Sequence, residues 1–445
     1  MQTEQQTPPP MKEPPADLDG GYGWCVVLGA WLTFFWVFGL FYSFGVLFSA
    51  FLDEFGESRG TTSLLQGVAM ATMNSTGWLG GALVDRFGNR NVCACAAVIC
   101  SGSILAASFC TSIVPMLLSY SVATGFGNML AFIAASSLVP AWFSTRRSYA
   151  QGIAFTGSGI SNAILPPILQ ALIAAWGWRW ALRACAASIL CFLLTAAALF
   201  RPPPVAVASG GAGGGAATPK KFVVCDGQLV RDPVMLSTLL CIAVAALGFF
   251  APFAHIVKYA GEESGGSLTE AQGSILLLVM GISNTISRPV SGKIADRHGA
   301  LHTFAVSAVA GGLATCALPF LQGMPALCGY AVVYGFFGGG FVALFMPLNV
   351  ELFGVPRIAR ASGLTQMGFG IGATFSAPTA GWMYDAKQDY KPAFLLTGGL
   401  FLLGGVLLEV LPKRYLTHPR HLEAVGNKPT AGMTTTGDGN KGDQP

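Results

Sequence analysis

Long apolar runs that carry almost no charge dominate this chain, and they limit its fold more than any other feature. A helix that crosses a bilayer needs about 20 consecutive apolar residues. Twelve stretches are of about that length. The first six lie at roughly 24–51, 62–84, 92–112, 114–139, 150–175 and 181–200. The second six lie at roughly 235–258, 271–292, 302–321, 325–347, 361–384 and 392–411. Only 10% of the 445 residues are charged, against about 25% in a soluble domain. That is too little polar surface to coat a water-soluble globule, which excludes an ordinary cytosolic enzyme and a secreted disulfide scaffold. A net charge of +4 spread over the chain is no basic footprint, which excludes a nucleic-acid binder. The 57 Gly and 31 Phe suit helices packed closely in lipid. The expected fold class is an all-α membrane protein of twelve transmembrane helices.

The segments between and beyond these runs set the domain organisation. Residues 1–22 are polar and Pro-rich, with no positive start and no small-residue cleavage site, so they read as an uncleaved disordered tail. Residues 201–234 hold Pro202-Pro203-Pro204 and a Gly-rich stretch from Gly210 to Gly215, and read as a linker. Residues 412–445 are polar and read as a second disordered tail. Two bundles of six spans remain, at 23–200 and 235–411. With both ends on one side, that side holds 18 of the 25 basic residues. The other side holds Arg59, Arg179, Arg183, Lys258, Lys387 and Lys391, while Arg288 lies inside span 8. The excess of Lys and Arg assigns both tails and the linker to the cytosol.

The two bundles repeat each other at one offset. Gly81, Asp85, Arg86 and Gly88 recur 211 residues later as Gly292, Asp296, Arg297 and Gly299. At the same offset Ala150, Gly152, Gly157, Gly159 and Pro167 recur as Ala361, Gly363, Gly368, Gly370 and Pro378. Such symmetry is typical of transporters whose solute site lies between the halves near mid-membrane. In the repeated loop a Gly permits close helix approach, and the acid that follows can meet a helix N-terminus or a neighbouring Arg. Gly81, Asp85 and Arg86 with Gly292, Asp296 and Arg297 are therefore expected to form a conformational latch. The alternative is a plain positive turn after a span.

The tandem Gly-x3-Asp-Arg-x-Gly loops resemble those of the major facilitator superfamily. More specific are Asp19-Gly20-Gly21-Tyr22-Gly23-Trp24 at the start of span 1 and Trp142-Phe143-Ser144-Thr145-Arg146-Arg147 before Ala150-x-Gly152 and Gly157-Ser158-Gly159. These resemble the two signature motifs of the monocarboxylate porter family, over roughly residues 19–411 apart from the linker. Phe250-Ala251-Pro252-Phe253 before His255, and Arg288-Pro289 in span 8, fit the same family. The resemblance implies two pseudo-symmetric six-helix halves that carry a small organic acid of the lactate or pyruvate kind by alternating access, linked to protons. It also implies a plasma-membrane location and, as in some animal members, a single-span accessory protein.

An ionised Arg near the centre of a helix costs about 2.5–3.5 kcal/mol to insert. Arg288 is thus either an anion clamp, whose planar fork matches a carboxylate, or an anchor that snorkels to the membrane surface. The family resemblance implies the clamp. Proton-coupled members carry an Asp one turn before this Arg, where this chain has Asn284, and a Lys in span 1, where Phe44-Gly45-Val46-Leu47 has none. No Asp or Glu falls near the middle of any span, and an Asn cannot take up a proton. Coupling would have to run through the substrate carboxyl, through His255 as a proton site, or through Asp85, Asp296 or Glu351. Otherwise the chain is a proton-independent facilitator or exporter of a neutral, zwitterionic or larger solute.

Asn284 shares a helix face with Arg288 and is expected to line the site. Tyr42 and Phe345 line it as well or serve as ordinary helix packing. Asn74, Asn128 and Asn162 are read the same way, with helix-to-helix hydrogen bonding as the alternative. The 11 Cys are scattered, lack zinc spacing and read as buried thiols. No phosphate-binding loop is present, so an ATP-driven pump is excluded. No cofactor, metal or catalytic group is expected; the lipid bilayer is an expected partner.

Overall fold

The computed structural model describes residues 19–57, 59–203, 227–263 and 270–416. The tails and the linker expected from composition fall largely outside these ranges. Helices account for almost all of the described residues. Among the described residues, nine helical stretches are long and apolar enough to cross a membrane. Two of them, Gly77–Ala107 and Arg147–Leu199, are each split by one residue that leaves helical geometry, Gly88 at φ 78° and Gly177 at φ 78°. The first break separates span 2 from span 3 and the second separates span 5 from span 6. Arg59–Ser75 runs into span 2 and Ile358–Lys387 forms span 11. All twelve expected spans are thereby traced.

The boundaries differ from the sequence expectation where a span is bent. Span 1 ends at Tyr42, and a second helix, Phe44–Phe55, resumes after Ser43. Span 10 is divided in the same way into Met324–Ala343 and Phe345–Phe353. Span 7 divides into Pro233–Phe249 and Ala251–Glu263. Apolar pattern alone cannot show such bends, because both halves of a bent span are equally apolar.

The repeat reappears in backbone geometry. Gly299, which corresponds to Gly88, also has positive φ, at 92°. A turn of this kind favours Gly, whose missing Cβ removes the clash that bars other residues. The counterpart of Gly177 is Gln388, at φ 53°, so the second half makes its turn without a Gly.

Each half packs around an aromatic core. In the first, Phe34 stacks on Phe155 at 4.3 Å and meets Phe132 at 5.8 Å. In the second, Phe341 lies 4.6 Å from Phe304 and 5.0 Å from Phe401. Span 8, within Glu270–His298, is inverted relative to a helix of a soluble protein. Leu278, Ile282, Ile286, Val290 and Ile294 point outward, with Ile286 58% exposed. Ser283, Asn284, Ser287, Arg288 and Ser291 are buried. An apolar outside and a polar inside suit a helix that faces lipid on one side and a polar site on the other.

Candidate functional site

Two seams join the halves, span 5 against span 8 and span 2 against span 11. Both are built from Gly. A Cβ at Gly152 would collide with the carbonyl of Arg288, and one at Gly159 with Thr285. In the symmetry-related seam a Cβ at Gly77 would lie 2.7 Å from the carbonyl oxygen of Gly363, and one at Gly370 would collide with Asn74. Gly at these places lets backbones meet directly, which is how helices associate where lipid removes the hydrophobic drive.

Arg288 sits in the first seam and is only 3% exposed. Its Nη2 donates to Asn284 Oδ1 at 2.9 Å and its Nε donates to the same oxygen at 3.2 Å. Its Nη1 crosses the seam to the carbonyl of Phe155 and the hydroxyl of Ser158. The Tyr42 hydroxyl is close enough to act on the guanidinium electrostatically. The snorkelling alternative therefore does not describe Arg288: the guanidinium turns into the protein and bridges its halves. Every protein oxygen that meets it in these hydrogen bonds is neutral. A hydrogen bond to a charged group contributes about 1.5–3 kcal/mol, so this cage holds the cation without an ion pair.

The structure thus brings Arg288, Asn284 and Tyr42 together. Tyr42 is 41% exposed at the edge of the group. Phe345 is buried and its ring meets Phe369 at 6.0 Å, among the aromatics of the second half. His255 is half-buried on the helix Ala251–Glu263, with its ring 5.6 Å from that of Tyr390.

The second seam holds its own polar pair. Gln366 Nε2 donates across it to Asn74 Oδ1 at 2.8 Å, and Asn74 Nδ2 donates to the Met70 carbonyl at 2.8 Å. Asn74 is therefore engaged in helix-to-helix hydrogen bonding. Asn128 receives a weak bond from Cys100 Sγ at 3.5 Å. Asn162 is exposed beside Gly281. Sequence reasoning missed Ser158, the Phe155 carbonyl and Gln366. Ser158 stood inside a motif already singled out by its Gly neighbours, and Gln366 is a polar residue inside an apolar span. A backbone carbonyl leaves no sequence signal.

At the end of the molecule that carries the repeated loops, both acids cross to the opposite half. Asp296 accepts from the backbone N–H of Ser148 at 2.8 Å and of Tyr149 at 3.0 Å, capping the helix Arg147–Leu199. Its counterpart Asp85 pairs with Arg360, in the first turn of Ile358–Lys387. Gly292 presses on Ser148 and Tyr149, and Gly81 presses on Ala359 and Arg360. These are the two partners the sequence allowed for such an acid, one used in each half. Arg86 lies over the Phe87 ring at 5.3 Å, and Arg297 is exposed. Glu351 accepts from Ala300 N at 2.5 Å and Leu301 N at 3.1 Å, capping span 9.

The two signature segments meet at this same end. Asp19 Oδ1 accepts from the N–H of Ser144 at 2.8 Å and of Thr145 at 2.9 Å, and Oδ2 accepts from the Ser144 hydroxyl. Partial burial works against ionisation, but the Ser144 hydroxyl and the backbone N–H groups outweigh it and hold the Asp19 carboxyl below the usual carboxylate range.

The seams part toward the other end. Gly67, Asn74 and Gly81 recur every seventh residue and so share one helix face. A Cβ at Gly81 would collide with the opposite half, Asn74 bonds to it, and a Cβ at Gly67 would find nothing within 4 Å. Along span 8, a Cβ at Gly281 would come no nearer to a neighbour than 3.8 Å, at Asn162 Nδ2, where one at Gly292 would collide with the Ser148 carbonyl. The halves are closed at the loop end and spread at the opposite end, with the Arg288 group between.

The family model for the major facilitator superfamily matches residues 30–300 and 266–435. Monocarboxylate transporter 13 of Rattus norvegicus is 31% identical over 402 residues, covering 90% of each chain. Monocarboxylate transporter 3 of Mus musculus is 32% identical over 400 residues, covering 88% of this chain and 80% of its own. Among solved structures, a bacterial homologue of the iron transporter ferroportin in an outward-facing state superposes with a TM-score of 0.69 at 15% identity, over 87% of this chain and 98% of the other. The E. coli fucose:proton symporter gives 0.66 at 15%, with the same coverage. These last two likenesses concern the fold alone.

Proposed function

Since this chain belongs to the monocarboxylate transporter family of the major facilitator superfamily, we propose that it carries small monocarboxylates of the lactate or pyruvate kind across a membrane by alternating access. Its relatives are membrane transporters of organic solutes and not enzymes, and so is this chain. The finer reading rests on one observation. Arg288 is a buried cation between the halves whose hydrogen-bond partners are all neutral oxygens.

A carboxylate that enters from the spread end reaches a fork of donors with matching planar geometry. It competes with the Ser158 hydroxyl and the Phe155 carbonyl for the guanidinium. Asn284 keeps the fork aimed, Tyr42 offers a hydroxyl at the rim, and Phe345 limits the room for a side group. The loops at Gly81, Asp85 and Arg86 and at Gly292, Asp296 and Arg297 hold the far end shut and release it when the halves rock. The Lys and Arg excess puts that end, and both termini, in the cytosol, with the plasma membrane as the expected site.

Proton linkage is supported only by likeness to the family. The local chemistry favours the proton-independent alternative, because no carboxyl or imidazole of the described residues hydrogen-bonds Arg288. Uptake of labelled lactate and pyruvate into proteoliposomes tests the main reading. Wild-type protein should take up at least one of them, and Arg288→Ala should lose more than about tenfold of that uptake, which is 1.4 kcal/mol. No uptake of either acid by folded wild-type protein would overturn the reading and direct the search to neutral, zwitterionic or larger solutes.

A further inference from the structure

The charge of the Arg288 group leads to a statement about how transport is driven. A guanidinium stays protonated, so the empty site carries one positive charge. The groups able to cancel that charge can be taken element by element. On span 8 itself, Lys293, Asp296, Arg297 and His298 lie toward the loop end, and Glu270 opens the helix 18 residues before Arg288, about 27 Å at the usual rise. Asp296 is eight residues on, about 12 Å at the usual rise, and accepts from Ser148 and Tyr149. On the helix Arg147–Leu199 the first charged residue is Arg147, whose Nε donates to the Phe143 carbonyl at 2.6 Å. Span 10 brings Tyr330 and Tyr334, both buried, and Tyr334 donates to the Phe249 carbonyl. Span 9 brings His302, which meets Glu409 at 3.2 Å. The helix Ala251–Glu263 brings His255, beside Tyr390, and carries Lys258, Glu262 and Glu263 in its later part. Span 1 brings Tyr42, a phenol 41% exposed at the edge of the group. In the position one turn before Arg288, Asn284 supplies an amide that neither ionises nor protonates.

We propose that the carrier moves its carboxylate as an anion, by electrogenic uniport: the loaded site is neutral and the empty site returns with one positive charge. This rests on the carboxylate reading of the site. The charges balance without a proton. Guanidinium and carboxylate sum to zero while the loaded halves rock, the anion leaves, and the guanidinium returns alone. Each cycle moves one negative charge. The cage explains how an empty, charged site can cycle at all. The Phe155 carbonyl, the Ser158 hydroxyl and Asn284 Oδ1 take the place of substrate oxygens when the anion is gone. A buried charge persists only when such partners are present. Two of the three oxygens lie across the seam, so the same contacts draw the halves together around the empty site.

The test uses full-length protein in proteoliposomes with labelled pyruvate, at one pH inside and out. Exchange of labelled for unlabelled pyruvate without any gradient reports the carboxylate reading by itself. A potassium diffusion potential set by valinomycin then reports the charge. An inside-positive potential of about 100 mV should drive accumulation toward about 50-fold, the equivalent of 2.3 kcal/mol for one charge. An inward acid gradient at zero potential should give no accumulation. Asn284→Asp supplies an ionisable partner and should reverse this pattern, weakening the response to potential and creating one to acid. Exchange with acid-driven, potential-independent uptake in wild type would overturn electrogenic uniport and leave carboxylate transport standing. Absence of exchange would overturn both. The wild-type result decides the matter even if Asn284→Asp fails to fold.

Discussion

At the scale of single residues, the site depends on the shape of one cation and on the missing side chain of its neighbour. Arg288 bonds three oxygens that diverge in direction, one on its own helix and two on span 5. A Lys is a point charge on a flexible stem and cannot reproduce that fork. Arg288→Lys should fold and reach the membrane but bind carboxylate at least about tenfold more weakly, read as a rise in the concentration needed for half-maximal exchange. Gly152 acts by absence. A Cβ there would meet the Arg288 carbonyl and lie 3.0 Å from Pro289 Cα. Gly152→Val should prop the seam open and cut uptake, with protein yield falling less than activity. The pattern Arg288, Asn284 and Gly152 was legible in the sequence, the first two by helix spacing and the third by its repeat as Gly363. The cage oxygens were not, because a carbonyl and a Ser hydroxyl are common in every span.

At the scale of elements, the ends of helices hold the closed state together. Asp296 places a carboxylate on the first turn of Arg147–Leu199, where the aligned peptide dipoles favour negative charge by about 0.3–1 kcal/mol. Asp296→Asn keeps an acceptor and removes the charge. The closed loop end should lose about that much stability, shifting the equilibrium about two- to fivefold. Thiol labelling of Ser148→Cys, a near-isosteric change at a position buried in the closed loop end, should speed up accordingly in the same background. Asp19 performs a similar service for the Ser144–Arg146 segment before the same helix. Its folded pKa lies below its unfolded value, so its contribution is full above an unfolded pKa of about 3.9. It is lost as the pH falls through the lower folded value. Exchange protection of the Ser144 and Thr145 amides, corrected for intrinsic rates, should therefore hold near pH 6 and fall in strong acid. Asp19→Asn should lower it near pH 6 and make little difference in strong acid. The likelihood of a cap was readable from the motif, but not that Asp85 would take Arg360 while Asp296 takes backbone.

At the scale of the whole molecule, two Gly-lined seams meet at the loop end and part at the other, as the proposed rocking cycle requires at one of its limits. Asp296 accepts from the backbone N–H of Ser148 across the closed loop end in this state. A disulfide between Cys residues introduced at these two positions, with the native Cys replaced, should hold the loop end closed. Uptake should fall more than about tenfold on oxidation, a loss of 1.4 kcal/mol or more in rate terms, and recover on reduction. Transport that continued through the oxidised pair would contradict rocking about this site.

The sequence by itself determined that this chain lies in a membrane, that it has twelve spans in two related halves, and that span 8 carries one cation with an Asn one turn away. These features are local or periodic, and the bilayer enforces them, since apolar length and charge depletion have no other stable outcome. Only the tertiary structure decided the partners. Arg288 meets Ser158 over 130 residues, Asp296 meets Ser148 over 148, and Gln366 meets Asn74 over 292. Such pairs form where the two bundles touch. Their register is set by close Gly contacts and by which end of the molecule is shut, and neither leaves a period in the chain.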